Sequence, residues 1–118
     1  MERVYVETTF ISYLTARPSR DVIIAGHQQV TREWWDTCRG RFELCVSQLV
    51  VQEAEYGDAQ AAQERLVLLA GMTLLEVKEE AMLLAEELVR AGSFPAKAGN
   101  DALHIAVAAV HHVPYLLT

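Results

Sequence analysis

Four short stretches, RVYVE, FELCV, TLLEV and YLLT, are rich in β-branched, aromatic and leucine side chains, and segments of helical periodicity separate each from the next. This alternation limits the fold more than any other feature of the chain. Strands that follow one another through a helix can lie parallel in one sheet, and a mainly parallel sheet needs helices on both faces. The sequence therefore predicts an open α/β sheet, with chemistry at the carboxyl ends of its strands near the point where strand order reverses.

The helices between the strands carry recognisable ends. Thr8 and Thr9 lead from the first strand into a short helix, FISYL, which ARPS breaks. Asp21 is a good N-cap for a helix running to about Cys38, whose apolar positions recur at Ile23, Ile24, His27, Val30 and Trp34. Ser47 is suited to cap the helix QLVVQEAEY, which Gly57 closes, and Asp58 to cap AQAAQERLVLLA, which Gly71 stops. KEEAMLLAEELVRA ends at Gly92, and NDALHIAVAAVHH forms the last helix before YLLT. Trp34 and Trp35 are adjacent, so a regular helix turns one to the core and the other to a partner surface. Ala102, Ala106 and Ala109 form a small stripe that lets the last helix approach a neighbour closely.

At 118 residues with 52% hydrophobic content, residues 1–118 form one domain with a real core and no internal boundary. A formal charge of -6 argues against a general nucleic-acid coat or a binder of anionic membranes. Arg17, Arg20 and Arg32 are the one basic cluster near the first strand's end, suited to phosphate contacts but more simply explained as surface charge. Two cysteines, Cys38 and Cys45, do not make a disulfide framework, and MERVYVETT does not resemble an export signal. Apolar runs stop well short of membrane-spanning length, so the expectation is a soluble cytoplasmic protein with no membrane partner.

Three acids stand where a parallel sheet places chemistry. Glu7 ends the first strand, Glu53 lies in the helix after the second, and Asp101 opens the helix before the fourth. They are 46 and 48 residues apart, so only the fold can bring them together. Each has a plainer reading: Asp101 as a helix-capping residue beside Asn100, Glu53 as a solvated neighbour of Glu55, Glu7 as an ordinary strand end. His104, one turn after Asp101 on a nearly all-apolar helix, reads as a packed core histidine rather than a ligand. There is no Ser/His/Asp pattern, no Gly-rich phosphate loop and no Cys/His spacing for zinc.

VYVETTFISYL, VSQLVVQEAEYGD and DALHIAVAAVHHVPYLLT, in that order and separation, resemble the PIN-domain family and its VapC-type toxins of bacterial toxin–antitoxin pairs. The resemblance covers almost the whole chain. It implies a three-layer α/β/α sandwich and an acidic pocket that binds Mg2+ or Mn2+ and cuts single-stranded regions of RNA. Glu7, Glu53 and Asp101 would be the catalytic metal-binding acids, with Thr9 supporting the first. It also implies a cognate antitoxin and a homodimer. A phosphodiester is itself anionic, so an acidic pocket needs divalent cations to reverse the local sign before it can accept one.

The chain departs from the family pattern in two places. Glu7 stands where members usually carry Asp, one methylene longer, and its arm must fold back or let a water bridge. Members continue beyond the strand matching YLLT to a further Asp or Asn, a short helix and a last strand, so the resemblance predicts a C-terminally truncated sheet lacking that strand. An alternative follows: an inactive PIN-like module that works through antitoxin or self-association. A small α/β protein with another ligand is a third reading.

Overall fold

The computed structural model describes residues 1–95 and 98–118. Its strands are β1 (Glu2–Val6), β2 (Phe42–Ser47), β3 (Thr73–Leu75) and β4 (Tyr115–Leu117). Its helices are α1 (Thr8–Thr15), α2 (Val22–Cys38), α3 (Gln48–Ala54), α4 (Ala59–Leu69), α5 (Glu79–Arg90) and α6 (Gly99–Val110), with one 3-10 turn at Arg39–Arg41. The four strands form one sheet in the order β3-β2-β1-β4, and every pairing is parallel. Val4, Tyr5 and Val6 are all buried, as are Cys45, Val46 and Ser47, so consecutive residues are covered on both faces of the sheet. That is the expected α/β/α arrangement.

Strand order fixes where a site can form. The chain steps from β1 to β2 to β3 in one direction and then places β4 on the far side of β1. The helices that leave β1 and enter β4 therefore diverge at the carboxyl ends of these two strands, which opens a crevice there. Val6 aligns with Leu117, and Glu7 N–H donates to Leu117 O at 2.9 Å, so the residues ending both strands, Glu7 and Thr118, emerge side by side.

Around the sheet, α1 packs against α2, α3 and α4, while α5 packs against α6. Ala102 and Ala106 are fully buried and permit a close approach, whereas Ala109, expected in the same stripe, is exposed. Asp21 and Asp58 cap α2 and α4 as their sequence context predicts, accepting from Ile23 N and Ile24 N, and from Ala61 N. Gly57 and Gly92 take φ of 87° and 81° after α3 and α5, a conformation that a Cβ disfavours.

Three local expectations need correction. Of the stripe Ile23, Ile24, His27, Val30 and Trp34, the first four do not form the inward face of α2. Gln28 and Thr31 are the buried residues, and Ile23 and Val30 are 72% and 66% exposed. The reason is polar: Gln28 accepts from Ser19 N and donates to Arg17 O, tying down the ARPS loop, while Thr31 donates to His27 O. Those bonds remove the cost of burying the two side chains. Second, both tryptophans pack on the core: Trp34 stacks on Phe42 and meets Phe10 edge-on, and Trp35 lies beneath the Arg39 guanidinium. Third, Ser47 occupies the N-cap position of α3 without capping it, because its hydroxyl is bonded to Tyr5.

Candidate metal centre

The crevice holds two of the predicted acids in contact with one histidine. Glu7 follows β1 and Glu53 lies in the last turn of α3, and each offers a carboxylate oxygen within 4.8 Å of the other and of a ring nitrogen of His104. Glu53 Oε1 accepts from His104 Nε2 at 2.8 Å and from Thr8 Oγ1, and its Oε2 accepts from Asn100 Nδ2 at 3.3 Å. Glu7 Oε1 lies 3.9 Å from His104 Nε2, with the Glu7 side chain only 12% exposed. Residues from α1, α3 and α6 thus converge on two carboxyl groups.

Asp101 reaches the site differently. It lies in the first turn of α6, exposed, and lines a cavity of about 280 Å³ together with Glu7, Thr9, His104, Leu116 and Thr118. It is outside the close Glu7–Glu53–His104 group. It is not the helix cap either, since Ala98 holds that position with no side-chain cap bond. The fold therefore pairs Glu7 with Glu53 and places Asp101 on the lining of the cavity that Glu7 also lines.

Glu7 does what a longer arm allows: its carboxylate folds back over α1, accepting from Thr9 N at 3.3 Å and from Thr9 Oγ1 at 3.4 Å. Thr118 Oγ1 donates to Glu7 Oε2 at 2.8 Å. Thr118 was not among the predicted site residues; its signal is its place directly after the strand that pairs with β1. Thr8, whose place after the first strand suits either a helix start or the support of a ligand, begins α1 and also donates to Glu53 Oε1.

His104 is a buried histidine, as its apolar helix predicts, yet both ring nitrogens are engaged with the site. Nδ1 is 2.7 Å from Tyr5 Oη, and Tyr5 Oη is 2.8 Å from Ser47 Oγ. Burial holds the Tyr5 phenol well above its ordinary pKa; the Ser47 hydrogen bond opposes this and the charges of Glu53 and Glu7 add to it. Tyr5 is thus a protonated hydroxyl at any physiological pH.

The donor set suits a hard divalent cation. Carboxylate and hydroxyl oxygens from Glu7, Glu53, Asp101 and Thr118 surround the crevice, and oxygen ligands are what Mg2+ and Mn2+ prefer. The imidazole is the exception, and its Nε2 already faces Glu53.

A parallel sheet with acids gathered at the carboxyl ends of its central strands defines an α/β protein with a candidate metal crevice at its switch point. The chain belongs to the PIN-domain family, whose model matches residues 4–118. Among solved structures it is similar to Mycobacterium tuberculosis VapC20, a sarcin–ricin loop cleaving toxin, with a TM-score of 0.69 and 18% identity over 96% of this chain and 86% of that one. No curated protein sequence matches it.

Proposed function

We propose that this protein is a metal-dependent endoribonuclease of the VapC toxin type, cutting single-stranded regions of RNA. The observation that carries the reading is the meeting of Glu7 and Glu53 in one crevice whose cavity Asp101 also lines, although the three acids are far apart in sequence. Membership of the PIN family and the likeness to a toxin of that fold support it.

In this reading Glu7, Glu53 and Asp101 hold Mg2+ or Mn2+, and Thr9 steadies Glu7. The ion would supply charge neutralisation at the phosphate and a more acidic water. The protein's own part is to keep the acids oriented. Asp101 stands in the first turn of α6, at the positive end of the helix dipole. The remaining expectations, a homodimer silenced by a cognate antitoxin in the cytoplasm, belong to the same proposal. No helix among the described residues is long and apolar enough to cross a membrane.

The inactive-module alternative draws on a specific observation: both Glu7 oxygens are already engaged, by Thr9 and Thr118. Purified protein incubated with RNA separates the two. Cleavage with Mg2+ or Mn2+ that EDTA abolishes, and that Asp101→Asn also abolishes, supports the nuclease; intact RNA under every condition refutes it.

A further inference from the structure

We propose that Tyr5 and His104 are a positioning pair for Glu53. Tyr5 fixes the His104 imidazole with its proton on Nε2, and that N–H holds Glu53 Oε1 so that Oε2 is the oxygen left to bind a cation. The proposal rests on the reading of Glu53 as a ligand and adds two residues that neither the family pattern of acids nor the sequence assigns to the site.

The direction of each hydrogen bond follows from its neighbour. A carboxylate oxygen only accepts, so at 2.8 Å His104 Nε2 must donate to Glu53 Oε1. In a neutral imidazole Nδ1 is then bare and must accept, and the group facing it is the Tyr5 hydroxyl at 2.7 Å. A bare ring nitrogen only accepts, so the Tyr5 hydroxyl donates to it, and Ser47 Oγ donates in turn to Tyr5. The whole chain is enclosed: Tyr5, Ser47 and His104 are at most 1% exposed, and among the described residues no buried side-chain polar atom lacks a partner. No reorientation is available without breaking a buried bond.

This arrangement has a consequence for Glu53. Oε1 accepts from both Thr8 and His104, which fills its two lone-pair directions. Among the described residues Oε2 accepts only from the exposed Asn100, at 3.3 Å. One oxygen is thereby anchored to α1 and α6 while the other keeps an open direction. Groups that hold a ligand in this way are worth about 10–100-fold in metal affinity.

Two measurements on the full chain test the proposal. In the first, metal-free protein carrying 15N-histidine is examined by long-range 1H–15N correlation. His104 is expected as the Nε2–H tautomer in the parent protein and as a mixture in Tyr5→Phe; an Nδ1–H tautomer or a doubly protonated ring in the parent protein overturns the proposal. In the second, Mn2+ binding is followed by the electron paramagnetic resonance signal of the free ion. His104→Met keeps the volume and loses the donor, so its dissociation constant should rise about 10–100-fold, whereas His104→Gln, whose amide N–H can replace Nε2–H, should lose clearly less. A purely structural role would lower the melting temperature of both variants without separating their affinities. Equal loss in both, the mark of a direct ligand or of packing alone, overturns the positioning role and leaves the metal reading intact. Failure of the parent protein to bind Mn2+ overturns the metal reading and the positioning role together.

Discussion

Asp101→Asn separates the functional account of this residue from the structural one, because the fold asks little of its carboxylate. Asp101 is exposed in the first turn of α6, does not cap it, and among the described residues makes no side-chain hydrogen bond or ion pair. What its charge contributes to stability is the interaction with the helix dipole, about 0.3–1 kcal/mol. Unfolding entropy near 2.1 cal/mol/K per residue converts this to a fall of about 1–4 °C in melting temperature for a chain of this length. Asparagine is nearly isosteric and keeps an oxygen, so the shape of the cavity that it lines with Ile105 and Leu116 should not change. Loss of RNA cleavage should exceed the roughly 10–100-fold typical of residues that only support a ligand. The assay pairs a thermal melt with Mn2+-dependent cleavage of a single-stranded RNA. Cleavage at the parent rate refutes Asp101 as a ligand, and a melting temperature lower by much more than 4 °C refutes the claim that its role is not structural.

Two further outcomes follow from burial. Cys38 should react with iodoacetamide in the native protein while Cys45 does not: hydrogen bonding from Thr37, helped by Arg41, lowers the Cys38 thiol pKa, whereas burial raises that of Cys45. The Cys38 rate should therefore rise with a midpoint at lower pH than that of an ordinary thiol, as read from rate against pH. Ala106→Leu should destabilise by about 1–3 kcal/mol through overpacking, because Ala106 is fully buried within α6; urea denaturation measures it, and an unchanged midpoint would show that the helix has room there.

The sheet was legible because its strands are short runs of residues that favour a doubly covered sheet, and the runs alternate with capped helices. Asp21 and Asp58 announced their caps locally. The face of α2 was not legible. Ile23 and Val30 outrank Gln28 and Thr31 in hydropathy, and the loop groups that satisfy Gln28 lie 9 and 11 residues away from it. The same limit applies to the site. Glu7 and Glu53 could be selected because each follows a strand. The work of His104 could not, since its partner Tyr5 lies 99 residues away and the Ser47 hydroxyl, which locally looks like a helix cap, completes that network instead. Periodicity identifies which residues are inside, whereas a polar side chain's partner depends on tertiary placement.

Glu7 is where capping and coordination compete, and shortening it shows which governs. As N-cap of α1 its carboxylate accepts from Thr9 N and Thr9 Oγ1 at 3.3 and 3.4 Å, long for hydrogen bonds, while its other contacts point toward Thr118 and His104. Aspartate is among the best N-cap residues, because its shorter arm reaches the first-turn N–H groups without folding back. Glu7→Asp should therefore tighten the cap and raise stability by a few tenths to about 1 kcal/mol. It should also withdraw the carboxylate from Thr118 and His104 by about 1.5 Å, one C–C bond. Mg2+ demands near-ideal oxygen placement, and the surroundings here are built around the longer arm, so Mg2+ and Mn2+ should bind more weakly even though the protein melts higher. Glu7→Gln keeps the length and loses the charge, and should weaken binding without the gain in the melt. A Glu7→Asp protein that binds Mn2+ as tightly as its parent would mean that the position of this carboxylate serves the helix rather than the ion.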